Sequence, residues 1–340
     1  MKKKVALITG ITGQDGAYLA DLLINQNYKV YGTVRRSTSE KFSNLRYLNV
    51  YNKITFCDFD LLELSNIQDV IKKTSPDEIY HLAAQSFVPT SFKVPIVTAD
   101  MNALGTLRIL DSIKSSNKNI KFYQASTSEM FGKTVEIPQS EKTPFHPRSP
   151  YGVSKLFAHW ITINYRESYN LHASSGILFN HESPLRGEEF VTKKVTSTLA
   201  RIKNGSNEVL KIGNIDAKRD WGYAGDYVKA MWLMLQQKIP DDYVISTGKT
   251  HSVKEFIGLS LKYLKFKYKW TGTGLNTRAI DLSNGKTLIK IDKSFFRPAE
   301  VDLLIGNCNK AKKKLKWIPE TNLKKLVQLM IDHDLSLIKK

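Results

Sequence analysis

Val5-Ala6-Leu7-Ile8-Thr9-Gly10-Ile11-Thr12-Gly13-Gln14-Asp15-Gly16-Ala17 is the stretch that decides how the rest of the chain folds. Val5–Thr9 reads as a short buried strand, and the residues from Ala17 to Ile24 read as a helix. Between them stand three glycines at three-residue spacing. Gly10 suits a tight turn off the strand, Gly13 lets the backbone approach a pyrophosphate, and Gly16 lets the helix pack close to a sheet. The helix start then presents N–H groups to an anion. The pattern is GxxGxxG rather than GxGxxG, and its weight comes from the strand before it and the helix after it. Gly10, Thr12, Gly13, Gln14, Asp15 and Gly16 are therefore candidate contacts to a dinucleotide.

Outward from this loop, apolar runs alternate with amphipathic ones. Strands are expected at Lys29–Thr33, Ile54–Cys57, Glu78–His81 and Ile120–Ala125. Helices are expected near Tyr18–Asn25, Leu64–Lys73, Ala99–Ser115 and Pro150–Tyr169. Crossovers of this length imply an α/β fold with a doubly wound, Rossmann-type parallel sheet covered on both faces. The second half is punctuated by Gly213, Gly248, Gly272 and Gly274 and by Pro184, Pro240, Pro298 and Pro319. It reads as a smaller, mixed α/β unit that binds substrate. The division expected is 1–180 for the dinucleotide domain, with segments near 216–247 returning to it, and 181–340 mainly for the substrate.

The end of the second strand distinguishes the two nicotinamide cofactors. An acid there would hold a ribose 2′-hydroxyl, but the sequence reads Thr33-Val34-Arg35-Arg36-Ser37. Two guanidiniums suit a 2′-phosphate, which they can grip bidentately, so NADP is the expected cofactor. Asp60 and Leu61, after the third strand, are placed to meet the adenine edge.

Composition bounds the remaining classes. The 340 residues carry 41% hydrophobic side chains, enough for a large core. Met1-Lys2-Lys3-Lys4 before Val5–Ile8 imitates the start of a signal peptide. Its apolar run is too short for one, and no stretch suits a membrane span. Two cysteines, Cys57 and Cys308, fit a reducing cytoplasm rather than a disulfide framework. The seven histidines show no metal-ligand spacing, so no metal is expected. The net charge of +19 is spread along the chain and is mostly lysine. Anionic small ligands account for it better than nucleic acid, whose bases are read by arginine.

Two segments carry chemistry. The fifth strand ends Ala125-Ser126-Thr127-Ser128-Glu129, which puts hydroxyls and a carboxylate at the carboxyl edge of the sheet. Farther on, Pro150-Tyr151-Gly152-Val153-Ser154-Lys155 places Tyr151 and Lys155 on one helical face. An ammonium beside a phenol lowers the phenol's pKa, so Lys155 is expected to make Tyr151 a usable base.

TGxxGxxG at Thr9–Gly16, the hydroxyl-bearing strand end and YxxxK at Tyr151–Lys155 resemble the extended short-chain dehydrogenase/reductase superfamily. Within it, the chain resembles the GDP-mannose 4,6-dehydratase family over nearly its whole length. The stretches that carry this are VRRS (Val34–Ser37), QASTSEMFG (Gln124–Gly132), PRSPY (Pro147–Tyr151) and NYRE (Asn164–Glu167). ILFNHESP (Ile177–Pro184), DAKRDWG (Asp216–Gly222) and FRPAEVD (Phe296–Asp302) add to them. The resemblance implies a redox-neutral cycle: oxidation at C4, loss of water across C5 and C6, and reduction at C6. Thr127, Glu129, Tyr151 and Lys155 would be catalytic. Glu129 would act at C5 and C6, where elimination needs an acid/base that a plain alcohol dehydrogenase lacks. Leu82, Ala83, Ala84, Gln85 and Ser86 would line the cofactor, with His181 and Arg186 on its nicotinamide side. Ser86 and Glu129 would also touch the substrate. Asn180, Lys194, Arg219, Arg297 and Glu300 would hold its GDP part. A homodimer or homotetramer is implied as well.

Some positions depart from the family pattern: Gly152-Val153-Ser154, His159, Val97, and Leu185 before Arg186. They are expected around the sugar and cofactor, and leave the group at C6 open between GDP-mannose and a GDP-manno-heptose. A 4-keto reductase or epimerase would have no need of Glu129. A non-catalytic NADPH-binding regulator would not need Thr127, Tyr151 and Lys155 together.

Overall fold

The computed structural model of the protein describes residues 3–35, 42–296 and 304–338. Seven strands form the central sheet: β1 Val5–Thr9, β2 Lys29–Val34, β3 Ile54–Asp58, β4 Glu78–His81, β5 Lys121–Thr127, β6 Ala173–Leu178 and, from much later in the chain, Asp242–Ile245. The spatial order is Asp242–Ile245, β6, β5, β4, β1, β2, β3, and every neighbouring pair is parallel. The chain winds outward from β1 in one direction and then, from β4, in the other. The doubly wound α/β expectation therefore holds. Its topological switch point lies between β1 and β4, where ligands of such sheets bind at the carboxyl ends.

Both faces of the sheet are dry. Ala6 and Ile8 of β1 pack with Leu19 and Leu23 of the helix Gln14–Asn25 and with Met231 and Met234 of the helix Ala224–Gln236. Leu7 points the other way, among Ile67 and Ile71 of the helix Leu64–Thr74 and Ile109 and Ile113 of the helix Gly105–Ser116. Each such side chain contributes about 1.5–3 kcal/mol when fully buried, which explains the near-continuous apolar strands.

Two local departures from the expected elements are informative. The first helix starts at Gln14 rather than near Tyr18, so its opening turn is polar and belongs to the glycine loop. The single helix expected over Ala99–Ser115 is interrupted by a π-helical turn at Asp100–Leu104. There the Asn102 amide accepts from the Gln85 N–H at 2.9 Å and donates to the Gln85 carbonyl at 3.0 Å. Such bulges bring a side chain out to a functional loop, here the one after β4.

The later part of the chain builds a second layer. The helices Val191–Lys203, Val253–Tyr263 and Leu323–Ile338 enclose a core that includes Leu199, Phe256, Leu261, Leu326 and Met330. They pack on a four-stranded sheet ordered Tyr268–Thr271, Arg278–Asp281, Thr287–Ile291, Leu210–Ile212. Among the described residues no helix is long and apolar enough to cross a membrane.

One buried bond set ties β1 to the loop after β4. The Thr9 hydroxyl accepts the N–H groups of Leu82 and Ala83, each at 3.1 Å. It therefore donates its own proton to His81 Nδ1, 2.8 Å away. Burial, with the nearby Lys155 charge, pushes the His81 imidazole down to about 3, so the ring is neutral near pH 7. Thr9→Val should cost about 1–3 kcal/mol for each N–H left without an acceptor, seen as a lower urea midpoint at unchanged slope.

Candidate active site

A cleft of about 1180 Å³ opens where the carboxyl ends of β1, β4 and β5 face the second layer. It exceeds the roughly 300–1,000 Å³ of a pocket for one small ligand. Gly10, Gly13, Gln14, Asp15 and Gly16 line one part of it. Thr127, Glu129, Tyr151 and Lys155 line the middle, and Asn180, Lys194 and Arg219 the far part.

The glycine loop has the shape a pyrophosphate needs. Gly10 has φ +71°, and a Cβ there would lie 2.8 Å from the Ala83 nitrogen. A Cβ on Gly16 would lie 2.5 Å from both the Gly10 carbonyl oxygen and Ile11 Cα. Neither position tolerates a side chain without moving backbone. Gly13 caps the helix in an extended conformation with no side chain over the first turn, so the helix start faces the cleft uncovered.

Thr127 ends β5 in extended conformation and accepts the Glu129 N–H at 3.2 Å, which turns the chain into the short helix Ser128–Met130. The same hydroxyl lies beside the Tyr151 phenol and acts to lower its pKa. Tyr151 and Lys155 sit in the opening turns of the helix Pro150–Tyr169, whose start is fixed by Pro150 and by Ser149 Oγ accepting the Gly152 N–H at 3.0 Å. Both are buried.

Burial raises the Tyr151 phenol to about 12, against the lowering effect of the Thr127 hydroxyl and of Arg186. The Lys155 ammonium is turned to the Ala125 carbonyl at 3.0 Å. Burial in turn pulls Lys155 down to about 8. Helical spacing puts both side chains on the face that lines the cleft.

The loop after β4 alternates. Leu82, Ala84 and Ser86 line the cleft, whereas Ala83 and Gln85 do not. Gln85 is turned to Thr98 and to the Phe87 N–H, and Ala83 is held through its N–H by Thr9. Thr12, Arg35, Asp60 and Leu61 also lie off the cleft lining. Arg35 is exposed at the end of β2. The Asp60 carboxylate accepts the Leu62 N–H at 3.0 Å, and the Leu61 side chain packs in the core beside Gly105. Arg36, Ser37, Arg297 and Glu300 lie outside the described residues.

His181 and Arg186 line the cleft from the segment after β6. Arg186 is ion-paired with Glu182 at 3.1 Å and lies 3.6 Å above the Phe190 ring. Asn180 has a buried side-chain oxygen without a hydrogen-bond partner, an atom suited to a ligand donor. The Lys194 ammonium lies 3.3 Å over the Phe295 ring, and burial lowers its pKa. Arg219 is buried and donates to the Lys218 carbonyl at 2.8 Å. Asp220, a conceivable structural partner for it, directs its carboxylate at the N–H groups of Thr247 and Gly248 instead. Among the described residues no group of three or more His, Cys, Asp or Glu could hold a metal ion.

The positions that depart from the family pattern fall elsewhere than expected. Val97 and Val153 are exposed on the outer surface. His159 meets Ser126 at 3.0 Å, and the Ser154 hydroxyl accepts from Asn102 at 3.2 Å. Leu185 is in the core with Tyr227. None of them, nor Gly152, lines the cleft. The tight turn at Ser183–Arg186 sends Leu185 inward while Arg186 faces the cleft.

Sequence reasoning missed several cleft residues, notably Phe87, Phe92, Phe190 and Phe295. Phe190 and Phe295 flank charged positions already singled out. Aromatics beside cations were therefore the available signal.

Residues 7–330 match the family model described as GDP-mannose 4,6 dehydratase. The chain belongs to the GDP-mannose 4,6-dehydratase family. It is 50% identical to the GDP-mannose 4,6 dehydratase of Dictyostelium discoideum, across 99% of this chain and 98% of that one. It is 49% identical to the enzyme of that name from Sinorhizobium fredii (strain HH103), across 99% and 98%. Solved structures share the fold at greater distance. A UDP-glucose 4-epimerase of Thermotoga maritima with UDP-glucose aligns with TM-score 0.82 at 23% identity, covering 98% of this chain and 99% of its own. RMD from Pseudomonas aeruginosa, complexed with NADPH, aligns with TM-score 0.77 at 24% identity, covering 98% of each. Membership in the dehydratase family matches the expectation drawn from the motifs.

Proposed function

We propose that the chain converts GDP-mannose to GDP-4-keto-6-deoxymannose with NADP as an internally recycled cofactor. The observation that carries this reading is Glu129 on the same cleft wall as Thr127, Tyr151 and Lys155. The glycine loop and the uncovered helix start would hold the pyrophosphate, with Arg35, Arg36 and Ser37 at the 2′-phosphate. Leu82, Ala84, Ser86, Lys155, His181 and Arg186 would border the nicotinamide half. Bound NADP would supply reversible hydride exchange, first with C4 and then with C6, and the positive charge of its oxidised ring.

The chain's own residues handle the protons. Tyr151 takes the O4 proton, with Thr127 donating to the phenol oxygen as charge develops there. Since burial holds the phenol near 12, this step needs cationic charge at the ring. Arg186 supplies part of it, and Lys155 is one helical turn away. Glu129 then removes the C5 proton, acidified by the ketone at C4, and protonates the C6 hydroxyl as water leaves; with reduction at C6 a proton returns to C5. Asn180, Lys194, Arg219, Arg297 and Glu300 are assigned to the GDP part. In this division residues 1–180, joined by 216–247, hold the cofactor and 181–340 mainly the nucleotide-sugar. The family departures do not line the cleft, and the relatives that match along the whole chain bear the name GDP-mannose 4,6-dehydratase, which favours mannose over manno-heptose. Parallel assays of GDP-mannose and a GDP-manno-heptose test this, and turnover of the heptose alone would overturn it.

The same reading includes a homo-oligomer. Val153, Phe157 and Trp160 form an exposed apolar stripe on the helix Pro150–Tyr169, and Ile96 and Val97 are exposed nearby in sequence to its packing partners. Contiguous apolar patches of this kind mark protein–protein contacts. Trp160→Glu should shift the mass measured by light scattering to that of one chain. An unchanged assembly would exclude this face.

A further inference from the structure

Asp15 poses a physical problem that the proposed function leaves open. It occupies the second position of the helix whose N-terminus forms the glycine loop, and it lines the cleft. A carboxylate there favours the helix dipole but repels a pyrophosphate approaching the same N–H groups. The structure places His181 against it, with Nε2 2.7 Å from Asp15 Oδ2. The other ring nitrogen, Nδ1, is 2.8 Å from the Phe179 carbonyl oxygen. Both nitrogens thus face acceptors that carry no proton, so the ring satisfies both bonds only as an imidazolium. The Tyr227 ring stacks on it at 4.6 Å. Gln14 completes the link by donating to the His181 carbonyl at 3.1 Å and accepting from Ser183 Oγ at 2.7 Å. Burial alone would raise Asp15 and lower His181, and their mutual attraction reverses both shifts.

We infer that His181 acts chiefly as a positioning residue, cancelling the Asp15 charge so that the helix start can accept a dinucleotide pyrophosphate. This rests on the reading of the glycine loop as the cofactor cradle. The pair spans 166 residues of sequence and joins the cradle to the segment that carries Arg186. Loading of the cradle and placement of Arg186 are thereby coupled. Other groups facing the pair are Arg186, Tyr123 of β5, Tyr151 and Tyr227. Burial keeps all three tyrosines protonated near neutral pH. Lys155, at about 8, titrates in the same cleft, so wild type must be compared with a variant at each pH.

The test measures NADP and NAD dissociation constants by calorimetry on the full-length, nucleotide-free chain. The proteins are wild type, Asp15→Asn, His181→Gln and the double variant, with melting temperatures checking that each folds. His181→Gln leaves Asp15 bare and should weaken binding about tenfold or more. Adding Asp15→Asn to His181→Gln should restore most of the lost affinity. The wild-type to Asp15→Asn ratio of dissociation constants should rise as pH climbs past the His181 titration. A purely structural clamp would weaken each single variant alike, give no rescue and leave that ratio flat, and this result overturns the inference. Wild-type preference for NAD would overturn the NADP reading alone, since the rescue can be read with NAD. Binding of neither nucleotide would remove the cradle and the inference together.

Discussion

Glu129→Gln is expected to lower turnover of GDP-mannose by about 10²–10⁴-fold while leaving oxidation at C4 in place. The amide keeps the shape of the carboxylate but can neither remove the C5 proton nor hand one to the departing C6 hydroxyl. Thr127, Tyr151 and Lys155 are untouched, so the first half-reaction still runs. Rapid mixing of this variant with GDP-mannose and NADP should show reduced nicotinamide accumulating to about one equivalent per site. In the wild-type protein it should appear only transiently. Full turnover in the variant would remove Glu129 from its role and leave the elimination without a base.

Tyr151→Phe is the second large effect, and its signature differs. On the proposed mechanism, loss of the phenol removes the group that takes the O4 proton beside Thr127. Turnover should fall by a similar factor of about 10²–10⁴, with no accumulation of reduced nicotinamide. The variant should still bind NADP with near wild-type affinity, because the glycine loop and Asp15–His181 are unchanged. Ring and backbone packing are preserved, so its melting temperature should stay close to that of wild type. A residue needed only for folding would give the opposite pair of results. The two variants together therefore divide the cycle at the 4-keto stage.

The central sheet was legible because β1 to β5 and their helices carry local signals. Each strand is a short apolar run, and each helix buries a stripe with a period near 3.6. The π-helical turn at Asp100–Leu104 was not legible, since the helical periodicity runs through it and its cause is a contact from Asn102 to Gln85. Nor was the small sheet of the second layer, in which Leu210–Ile212 pairs with Thr287–Ile291 across a long stretch of chain. The candidate catalytic residues share one cleft lining because they lie in two compact segments at the ends of elements. Side-chain direction was the weak point. Leu185 adjoins Arg186 yet faces the core, and Lys155 lies one turn from Tyr151 yet bonds to Ala125. The pairing of Asp15 with His181 depends on the closure of two distant segments, which residue spacing does not encode.

The central claim is that one bound cofactor oxidises and then reduces the same sugar with loss of water between. It is tested most directly with GDP-mannose carrying deuterium at C4, incubated with the protein and NADP. The account predicts a 4-keto-6-deoxy product with that deuterium at C6 and no net reduced nicotinamide in solution. A product that keeps its C6 hydroxyl, or deuterium recovered in released NADPH, would contradict it.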